Sequence, residues 1–414
     1  MNSKININSI IGVLMILLFC SFTIFETYSW GIYILLFCMV LILFFQAIRD
    51  HFKYRFILGT YLVIVIVFAI YSLMSSIWAQ NSYDAISKGI TLLEISLMIF
   101  VLYNCYRTNK QNVHDILTVI KWSGVIITIY SIFYYGIETL IMMKEANLRL
   151  ESAYTNVNTI GMLASVATLI QIDEMISDKK FKLTGLLCLP MILMLGLTQS
   201  RKAFVILILG IFLVLIFRNN DSKSFLKTIY KVLIMIVAVG AIVYFVLSLP
   251  VFSGLVDRME GLIANFTGIG EVDNSARVRT QMIKVGLEQF MKTPILGVGI
   301  GNTHYVAATH IGKDAYLHNN FIELLAGGGI IGFTIYYSMY AYLFVNFWKY
   351  RKYKNKEYTI CFIIMFLLLV MDYGMVSYYN KGRYVYLMMY FLEVEQLKQK
   401  ARQSIQGRYI DDGN

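Results

Sequence analysis

Long segments without a single charge constrain this chain more than any other feature of its sequence. Residues 9–25, 28–48 and 56–78 contain no Asp, Glu, Lys or Arg and are apolar on every helical face. A surface helix of a soluble protein would instead carry one apolar stripe and one polar face. A helix that crosses a bilayer needs roughly 20 predominantly apolar residues. The sequence therefore predicts a helical, polytopic membrane protein.

The overall composition supports this class and excludes others. Of the 414 residues, 58% are hydrophobic and 15% are charged, whereas soluble domains are about 45–50% apolar and about 25% charged. These values exclude a soluble enzyme, a secreted disulfide scaffold and a disordered chain. A β-barrel is disfavoured, because its strands would alternate polar and apolar residues.

Twelve apolar segments are candidates for membrane-spanning helices. They are residues 9–25, 28–48, 56–78, 89–105, 118–142, 157–172, 183–199, 203–217, 229–249, 321–347, 358–376 and 382–396. The predicted fold is an all-α polytopic membrane protein with about 12 transmembrane helices. The last segment is the weakest candidate, because Lys381, Arg383 and Glu393 interrupt it.

The placement of Lys and Arg between these segments predicts the orientation of the chain. Cytoplasmic loops of membrane proteins are enriched in these residues. If the N-terminus is cytoplasmic, the inside loops hold clusters such as the one at 349–356, whereas the outside loop between the third and fourth segments holds only Lys88. Both termini are therefore predicted to be cytoplasmic. The net charge of 36 − 25 = +11 follows this pattern, so nucleic acid is not an expected partner.

Residues 250–317 form one long polar loop on the predicted outer face. The loop holds six Lys or Arg and six Asp or Glu, so it is neutral overall. Loops of this length are usually functional or disordered, and helical signals in this one favour function. Because the chain has no internal repeat and no linker, residues 1–414 are predicted to form a single integral-membrane domain.

An amphipathic helix is predicted near 277–292, within this loop. Asp273, Asn274 and Ser275 are good N-cap residues in front of it. Arg277 would lie in the first helical turn, where the helix dipole and free N–H groups favour an anion. Arg277 is thus either part of an anion site or a surface arginine at the lipid headgroups.

A histidine lies at the end of the loop, where the next helix is predicted to begin. Asn320 and Glu323 have the spacing of a capping box, so His318 would precede the helix N-terminus. The dipole there disfavours the cationic imidazole, as a general base requires. The alternative is a histidine that is hydrogen-bonded to a loop carbonyl. His304 and His310 share the loop without a carboxylate at zinc-binding spacing, so no metal site is predicted.

Arg201 lies in a very short outside turn at 198–202, which also contains a lysine. Two cations on the translocated side oppose the usual bias, and polar residues in such places tend to be functional. Asn156 and Asn158, at the outer end of the segment 157–172, are weaker candidates for a functional role. The Gly-x-Gly-x-Gly sequence at 297–301 lacks the strand context of a nucleotide site, and we interpret it as a flexible turn.

Five short motifs occur in one order along residues 150–345. They are Asn156-Val157-Asn158-Thr159-Ile160-Gly161, Thr198-Gln199-Ser200-Arg201, Ser275-Ala276-Arg277, the Pro294–Asn302 turn, and His318-Asn319 followed by Gly329-Ile330-Ile331-Gly332. Together they resemble the O-antigen ligase and polysaccharide repeat-unit polymerase family of bacterial envelope membrane proteins. The tryptophan that this family usually carries shortly after the loop arginine is missing here.

The resemblance implies a helical bundle of the GT-C type and transfer of an oligosaccharide from polyprenyl (undecaprenyl) diphosphate. Transfer would occur on the outer face of the cytoplasmic membrane, without a metal or other cofactor. Carried over, His318 would take the proton of the acceptor hydroxyl, while Arg201 and Arg277 would bind the diphosphate through their guanidinium groups. Further candidate substrate contacts are Asn158, Ser200, Arg279 and Asn319.

The predicted function is polymerisation of lipid-linked repeat units into a capsular, exopolysaccharide or O-antigen chain. Abundant Ile, Asn, Lys and Tyr, common in AT-rich Gram-positive genomes without a lipopolysaccharide core, favour polymerase over ligase. A flippase or transporter would predict an inverted repeat and broken spans, and the sequence shows neither. A non-catalytic scaffold would leave Arg201, Arg277 and His318 unexplained. Expected partners are the lipid-linked oligosaccharide, a glycan acceptor, membrane lipid, and flippase and chain-length regulator proteins.

Overall fold

The computed structural model of the chain describes residues 6–25, 31–53, 55–109, 111–145, 150, 155–178, 183–219, 225–267 and 274–411. These residues form the helices α1 (Ile7–Ile24), α2 (Gly31–Arg49), α3 (Thr60–Met74), α4 (Ser82–Tyr106), α5 (Asn112–Tyr135), α6 (Ile137–Glu145), α7 (Val157–Asp178), α8 (Cys188–Thr198), α9 (Arg201–Asn219), α10 (Phe225–Ser248), α11 (Ser253–Thr267), α12 (Asn274–Lys292), α13 (Thr303–Ile311), α14 (Asn320–Lys349), α15 (Tyr358–Met371) and α16 (Lys381–Asp411). The described part of the chain contains no strand, so the predicted all-α class is confirmed.

Seven of the described helices are long and apolar enough to cross a membrane. They are α1, α2, α3 with a short 3₁₀ extension to Ile77, α4, α5, α7 and α14. An eighth span results if Leu233–Ser248 and Pro250–Gly261, which meet at 86°, are counted as one. The predicted segments 183–199 and 358–376 coincide with shorter apolar helices, Leu183–Thr198 and Tyr358–Met371. The count of about twelve spans remains a prediction, as does the location of residues 250–317 outside the cytoplasm.

One predicted span is broken in the structure. Residues 118–142 were expected to form one helix, but α5 ends at Tyr135 and α6 begins at Ile137. Gly136 between them has a φ of 76°. A residue in this left-handed region cannot continue a right-handed helix, and glycine adopts it at little cost.

The weakest predicted span, 382–396, lies inside the continuous helix α16. Two of its charged side chains, Arg383 and Glu393, are buried and hydrogen-bonded. Arg383 is buried, and its Nη2 lies 3.1 Å from Oδ1 of Asp372. Asn355 donates its Nδ2–H to Oε2 of the buried Glu393 at 3.0 Å. Buried charges are costly unless they are paired and hydrogen-bonded, and Arg383 meets both conditions, because it also donates to the carbonyl of Leu368 at 2.7 Å.

The chain divides into two compact units, each assembled from three separate stretches. Unit 1 comprises residues 1–49, 114–273 and 356–367, and unit 2 comprises 50–113, 274–355 and 368–414. The predicted single integral-membrane domain remains a prediction.

Helix α7 is the centre of unit 1, where it packs against α8 and α9. Charged pairs fix one end of it. Nε and Nη2 of Arg218 each donate to the carboxylate of Asp173 at 2.8 Å, and Nζ of Lys121 lies 2.7 Å from Glu174. Two nitrogen atoms of Arg218 thus bind the two oxygen atoms of one carboxylate, which is the strong bidentate form of this ion pair.

Unit 2 is built on α14, which packs against α3 and α12. Its core contains large aromatic side chains that are fully buried, including Tyr61, Phe68, Tyr336 and Tyr378. The ring of Phe68 lies 5.5 Å from that of Tyr336 and 6.2 Å from that of Tyr378, at the separations that aromatic pairs prefer.

Helices fill much of the stretch that the sequence marks as a long polar loop. They are α11, α12 and α13. Helix α12 contains all of segment 277–292 and has two distinct faces, because Met282 and Gly286 are buried whereas Arg277 and Lys284 are exposed. This arrangement presents a polar face of α12 away from the core of unit 2.

Candidate active site

The glycine-rich turn at 294–301 is built against α14. The N–H of Val298 donates to the carbonyl of Ala326 at 2.9 Å, and the N–H of Gly299 donates to that of Gly327 at 2.9 Å. Gly297, Gly299 and Gly301 all have positive φ. The flexible turn expected from the sequence is therefore a packed turn with backbone hydrogen bonds to a neighbouring helix.

Helix α14 is kinked where this turn meets it. Gly329 has φ 60° and ψ −168°, which is not helical. A Cβ atom on Gly329 would lie 2.2 Å from the carbonyl oxygen of Ile295, so only glycine fits. The N–H of Ile330 donates to the carbonyl of Pro294 at 2.9 Å. Two motifs that are distant in the sequence, 294–302 and 329–332, thus form one structural feature.

Side chains at the end of α3 hold the same junction. The hydroxyl of Tyr71 donates to the carbonyl of Gly328, and Nε1–H of Trp78 donates to that of Leu296 at 3.2 Å. Ile300 donates its N–H to Oγ of Ser75 at 3.1 Å. The junction therefore forms a rigid base for the segment that leads to His318.

His318 lies just before α14 with a positive φ, which is uncommon for residues other than glycine. Its φ is 55°, and its half-buried ring lies 4.3 Å from that of Tyr316, centroid to centroid. Non-glycine residues in this region are strained and persist only where the surroundings fix them. Such residues are concentrated at active sites.

The predicted start of this helix was wrong by one residue. Asn319, not Asn320, is the N-cap, and its Oδ1 accepts the N–H of Ile322 at 3.1 Å. Glu323 is then too far along the helix to form the predicted capping box. Its carboxylate instead accepts the N–H of Leu317 at 2.9 Å.

Asn320 has a structural role of its own. Its N–H donates to the carbonyl of Asp372 at 2.7 Å, and its Oδ1 accepts the N–H groups of Ser377 and Tyr378 at 2.8 and 3.0 Å. The first turn of α14 is thereby joined to the connection between α15 and α16. His318 and Asn319 are therefore attached to a well-fixed helix start.

Arg277 and Arg279 lie in the first two turns of α12. Arg277 is exposed, and its Nη2–H donates to Oδ1 of Asn274 at 2.9 Å. Arg279 is half-buried. The predicted capping residue Asp273 lies outside the described residues. Helix α12 packs beside the start of α14, in a core cluster that contains Met282, Leu317 and Ile322, so the helix that carries Arg277 borders the segment that carries His318.

Arg201, Ser200 and Asn158 lie together in unit 1. Gln199 ends α8 with a φ of 46°, and Arg201 is the first residue of α9. Oγ–H of the buried Ser200 donates to Oδ1 of Asn158 at 3.0 Å. Nη1–H of Arg201 donates to the carbonyl of Arg258 at 2.8 Å, and Arg258 in turn donates to the carbonyl of Gln199 at 2.7 Å. Helix α11 therefore supports the turn that carries Arg201.

The predicted site residues thus fall into two groups. His318, Asn319, Arg277 and Arg279 belong to unit 2, whereas Arg201, Ser200 and Asn158 belong to unit 1. Each group lies at the start of one or more helices. At such positions free N–H groups and the helix dipole favour anions.

The sequence missed a second polar cluster in unit 2. Nε2 of His304 lies 3.3 Å from Oδ2 of Asp84, which also accepts the hydroxyl hydrogen of Tyr305 at 3.0 Å. Nδ1 of His304 is hydrogen-bonded to Asp314. These contacts join α13 to the first turn of α4. No local pattern indicates the contact between His304 and Asp84, since these two residues are 220 positions apart.

One family model matches the part of the chain that contains most of these residues. The model of the O-antigen ligase family matches residues 186–337. No curated protein matches the chain. The matched residues include Ser200, Arg201, Arg277, Arg279, His318 and Asn319. The family resemblance is therefore confirmed, and residues 186–337 are similar to the O-antigen ligase domain. Together, this match and the apolar helices point to a multi-pass membrane protein that is similar to the ligases and polymerases of this family.

Proposed function

We propose that this protein is a glycosyltransferase that polymerises polyprenyl-diphosphate-linked oligosaccharide repeat units. The reaction would take place on the outer face of the cytoplasmic membrane and yield a capsular, exopolysaccharide or O-antigen chain. The observation that carries the proposal is the backbone of His318, which is held in a strained conformation at a helix start within the O-antigen ligase domain. Strain of this kind is kept where function needs it.

In this reaction His318 acts as the general base. Its neutral imidazole accepts the proton of the acceptor hydroxyl, and the hydroxyl oxygen forms a bond to the anomeric carbon of the donor. The bond between that carbon and the diphosphate breaks, and the electron pair leaves with the diphosphate. The position of His318 just before the N-terminus of α14 favours the neutral imidazole, because the helix dipole opposes a cation there.

Arginines are proposed to bind the diphosphate as it leaves. Arg277 lies in the first turn of α12 and Arg201 is the first residue of α9. Each arginine therefore belongs to the first turn of a helix, where the free backbone N–H groups favour an anion. Its guanidinium group would add charge-assisted hydrogen bonds to a phosphate. Fixed positive groups at the site of developing negative charge supply the stabilisation that a metal provides in other phosphate chemistry. No metal or other cofactor enters this proposal.

Four other residues are proposed as substrate contacts. Asn319 and Arg279 are in unit 2, and Asn158 and Ser200 are in unit 1. Ser200 and Asn158 are already hydrogen-bonded to each other. They would therefore contact the substrate as a fixed pair. Outside the chain, a flippase and a chain-length regulator are the expected partner proteins.

A glycan gel of cells that lack the gene tests the proposed function. Loss of long chains with single repeat units retained would support polymerisation. Lipid-linked long chains that form but are not transferred would instead indicate the alternative, an O-antigen-type ligase. Loss of the single units from the outer face would indicate a flippase or transporter of the lipid-linked sugar. Re-expression of the parent chain should restore the wild-type pattern.

A further inference from the structure

A buried carboxylate in α14 is directed back at the segment that carries His318. Glu323 is 4% exposed. Its Oε2 accepts the N–H of Leu317 at 2.9 Å, and its Oε1 accepts the hydroxyl hydrogen of Thr303. A buried carboxylate is costly unless its oxygen atoms are hydrogen-bonded. The two bonds therefore connect the first turns of α14 and α13 to the residue immediately before His318.

The backbone of His318 needs support on both sides, because its positive φ is unfavourable for a non-glycine residue. On the C-terminal side, Asn319 caps α14 and Asn320 is bonded to the connection after α15. On the N-terminal side, Leu317 is fully buried and its N–H is bonded to Glu323. Glu323 therefore supplies the polar contact that fixes this side.

We infer that Glu323 is a positioning residue of the transfer reaction. Through its bonds to Leu317 and Thr303 it holds the imidazole of His318 in place for the acceptor hydroxyl, without touching the reacting atoms itself. The inference rests on the proposed function, since it takes His318 as the base. Helix capping does not explain Glu323, because Asn319 performs that role.

A purely electrostatic role is the rival explanation for the same residue. Lys88, whose Nζ lies 3.8 Å from the ring centroid of Tyr379, interacts electrostatically with Glu323 and Asp84. Substitution by glutamine separates the two explanations. Glutamine keeps an oxygen that accepts the N–H of Leu317, and its amide can donate to the hydroxyl of Thr303, but it carries no charge.

The first test measures chain extension by the purified full-length protein with lipid-linked repeat units. Glu323→Ala should lower kcat by about 100-fold with little change in KM, because a misplacement of about 1 Å costs this much in rate. Glu323→Gln should stay close to the parent rate. Asn346→Ala is the matched control, since Asn346 is also a buried polar residue of α14 and bonds only locally, to the carbonyl of Tyr342. An inactive Gln variant would mean that Glu323 acts through its charge, and the inference would be wrong.

The second test does not depend on catalysis. Diethyl pyrocarbonate modifies histidine rings, and peptide mass spectrometry gives the rate for His318 relative to that for His114 in the same protein. Glu323→Ala should change the relative rate at His318 severalfold, whereas Glu323→Gln and Asn346→Ala should not. An unchanged rate in the Ala variant would refute positioning.

If the Ala variant does not fold, Thr303→Val removes one of the two bonds and should give a smaller shift in the same direction. A shift in rate together with a parent protein that extends no chains would support positioning and refute the proposed function.

Discussion

The proposed function assigns the role of general base to His318, whose backbone is fixed just before α14. We expect His318→Ala to abolish nearly all chain extension, because general base catalysis typically contributes about 10² to 10⁴ in rate. Expression and binding of the lipid-linked donor should remain close to normal. The measurement is extension of lipid-linked repeat units by purified protein, with donor binding measured separately.

The alternative for His318 is a residue that only tethers the loop. In that case His318→Gln and His318→Asn would keep a hydrogen-bonding side chain and most of the activity. Chain extension by either variant at close to the parental rate would show that His318 is not the base.

Substitution of the two arginines tests the proposed binding of the diphosphate. Arg201→Lys and Arg277→Lys keep the charge but lose the planar fork that matches two phosphate oxygens. Loss of one charge-assisted hydrogen bond is worth about 1.5–3 kcal/mol, so each variant should be slower by about tenfold or more. Arg402→Lys is the control, because Arg402 is exposed on α16. Full activity in both Lys variants would leave the two arginines as contacts to lipid headgroups.

At the residue scale, the sequence identified side chains by type and by distance from a helix start. Arg277 was predicted to lie in the first turn of a helix, and the structure has it there. Arg201 was predicted to lie in the short turn at 198–202, and it is the first residue of α9. The role of Glu323 was missed, because its spacing from Asn320 matched a capping box. Glu323 instead bonds to Leu317 and Thr303, because α13 lies against the start of α14. No local spacing in the sequence predicts this contact.

At the scale of single elements, the kink of α14 depends on one glycine. Gly329→Ala places a Cβ atom 2.2 Å from a carbonyl oxygen and forces a non-glycine residue to φ 60°. We expect a loss of about 1–3 kcal/mol in the free energy of unfolding, and a lower melting temperature in detergent. Gly240→Ala is the control, because nothing lies within 4 Å of the added Cβ atom in α10. Equal melting temperatures for the two variants would contradict the account of the kink.

The sequence located these glycines as motifs but misjudged what they do. It predicted a flexible turn at 297–301, since glycine without flanking structure usually marks mobility. The packing of this turn on α14 depends on residues such as Tyr71, which is 257 positions away from its partner Gly328. Contacts at this separation follow from the fold as a whole and are not visible in any window of the sequence.

At the scale of the whole molecule, hydropathy was the most reliable predictor of the helices. Each residue contributes almost independently to the free energy of transfer into a bilayer. All seven of the described helices that are long and apolar enough to cross a membrane overlap predicted segments. The division into two units was not foreseen. Each unit takes three separate stretches of the chain, so neither composition nor a linker marks its boundary.

The orientation of the chain in the membrane is the remaining prediction at this scale, and the count of cations by loop is its basis. The protein is suited to cysteine labelling, because all five native cysteines are buried. Lys313→Cys lies at an exposed site in the predicted outer loop, and Lys352→Cys lies at an exposed site in a predicted inner loop. An impermeant maleimide should label Lys313→Cys in intact cells whose wall has been made permeable, and should label Lys352→Cys only after lysis. The parent chain controls for background labelling. The opposite pattern would invert the orientation and place His318, two residues before α14, on the cytoplasmic side, where the proposed reaction does not take place.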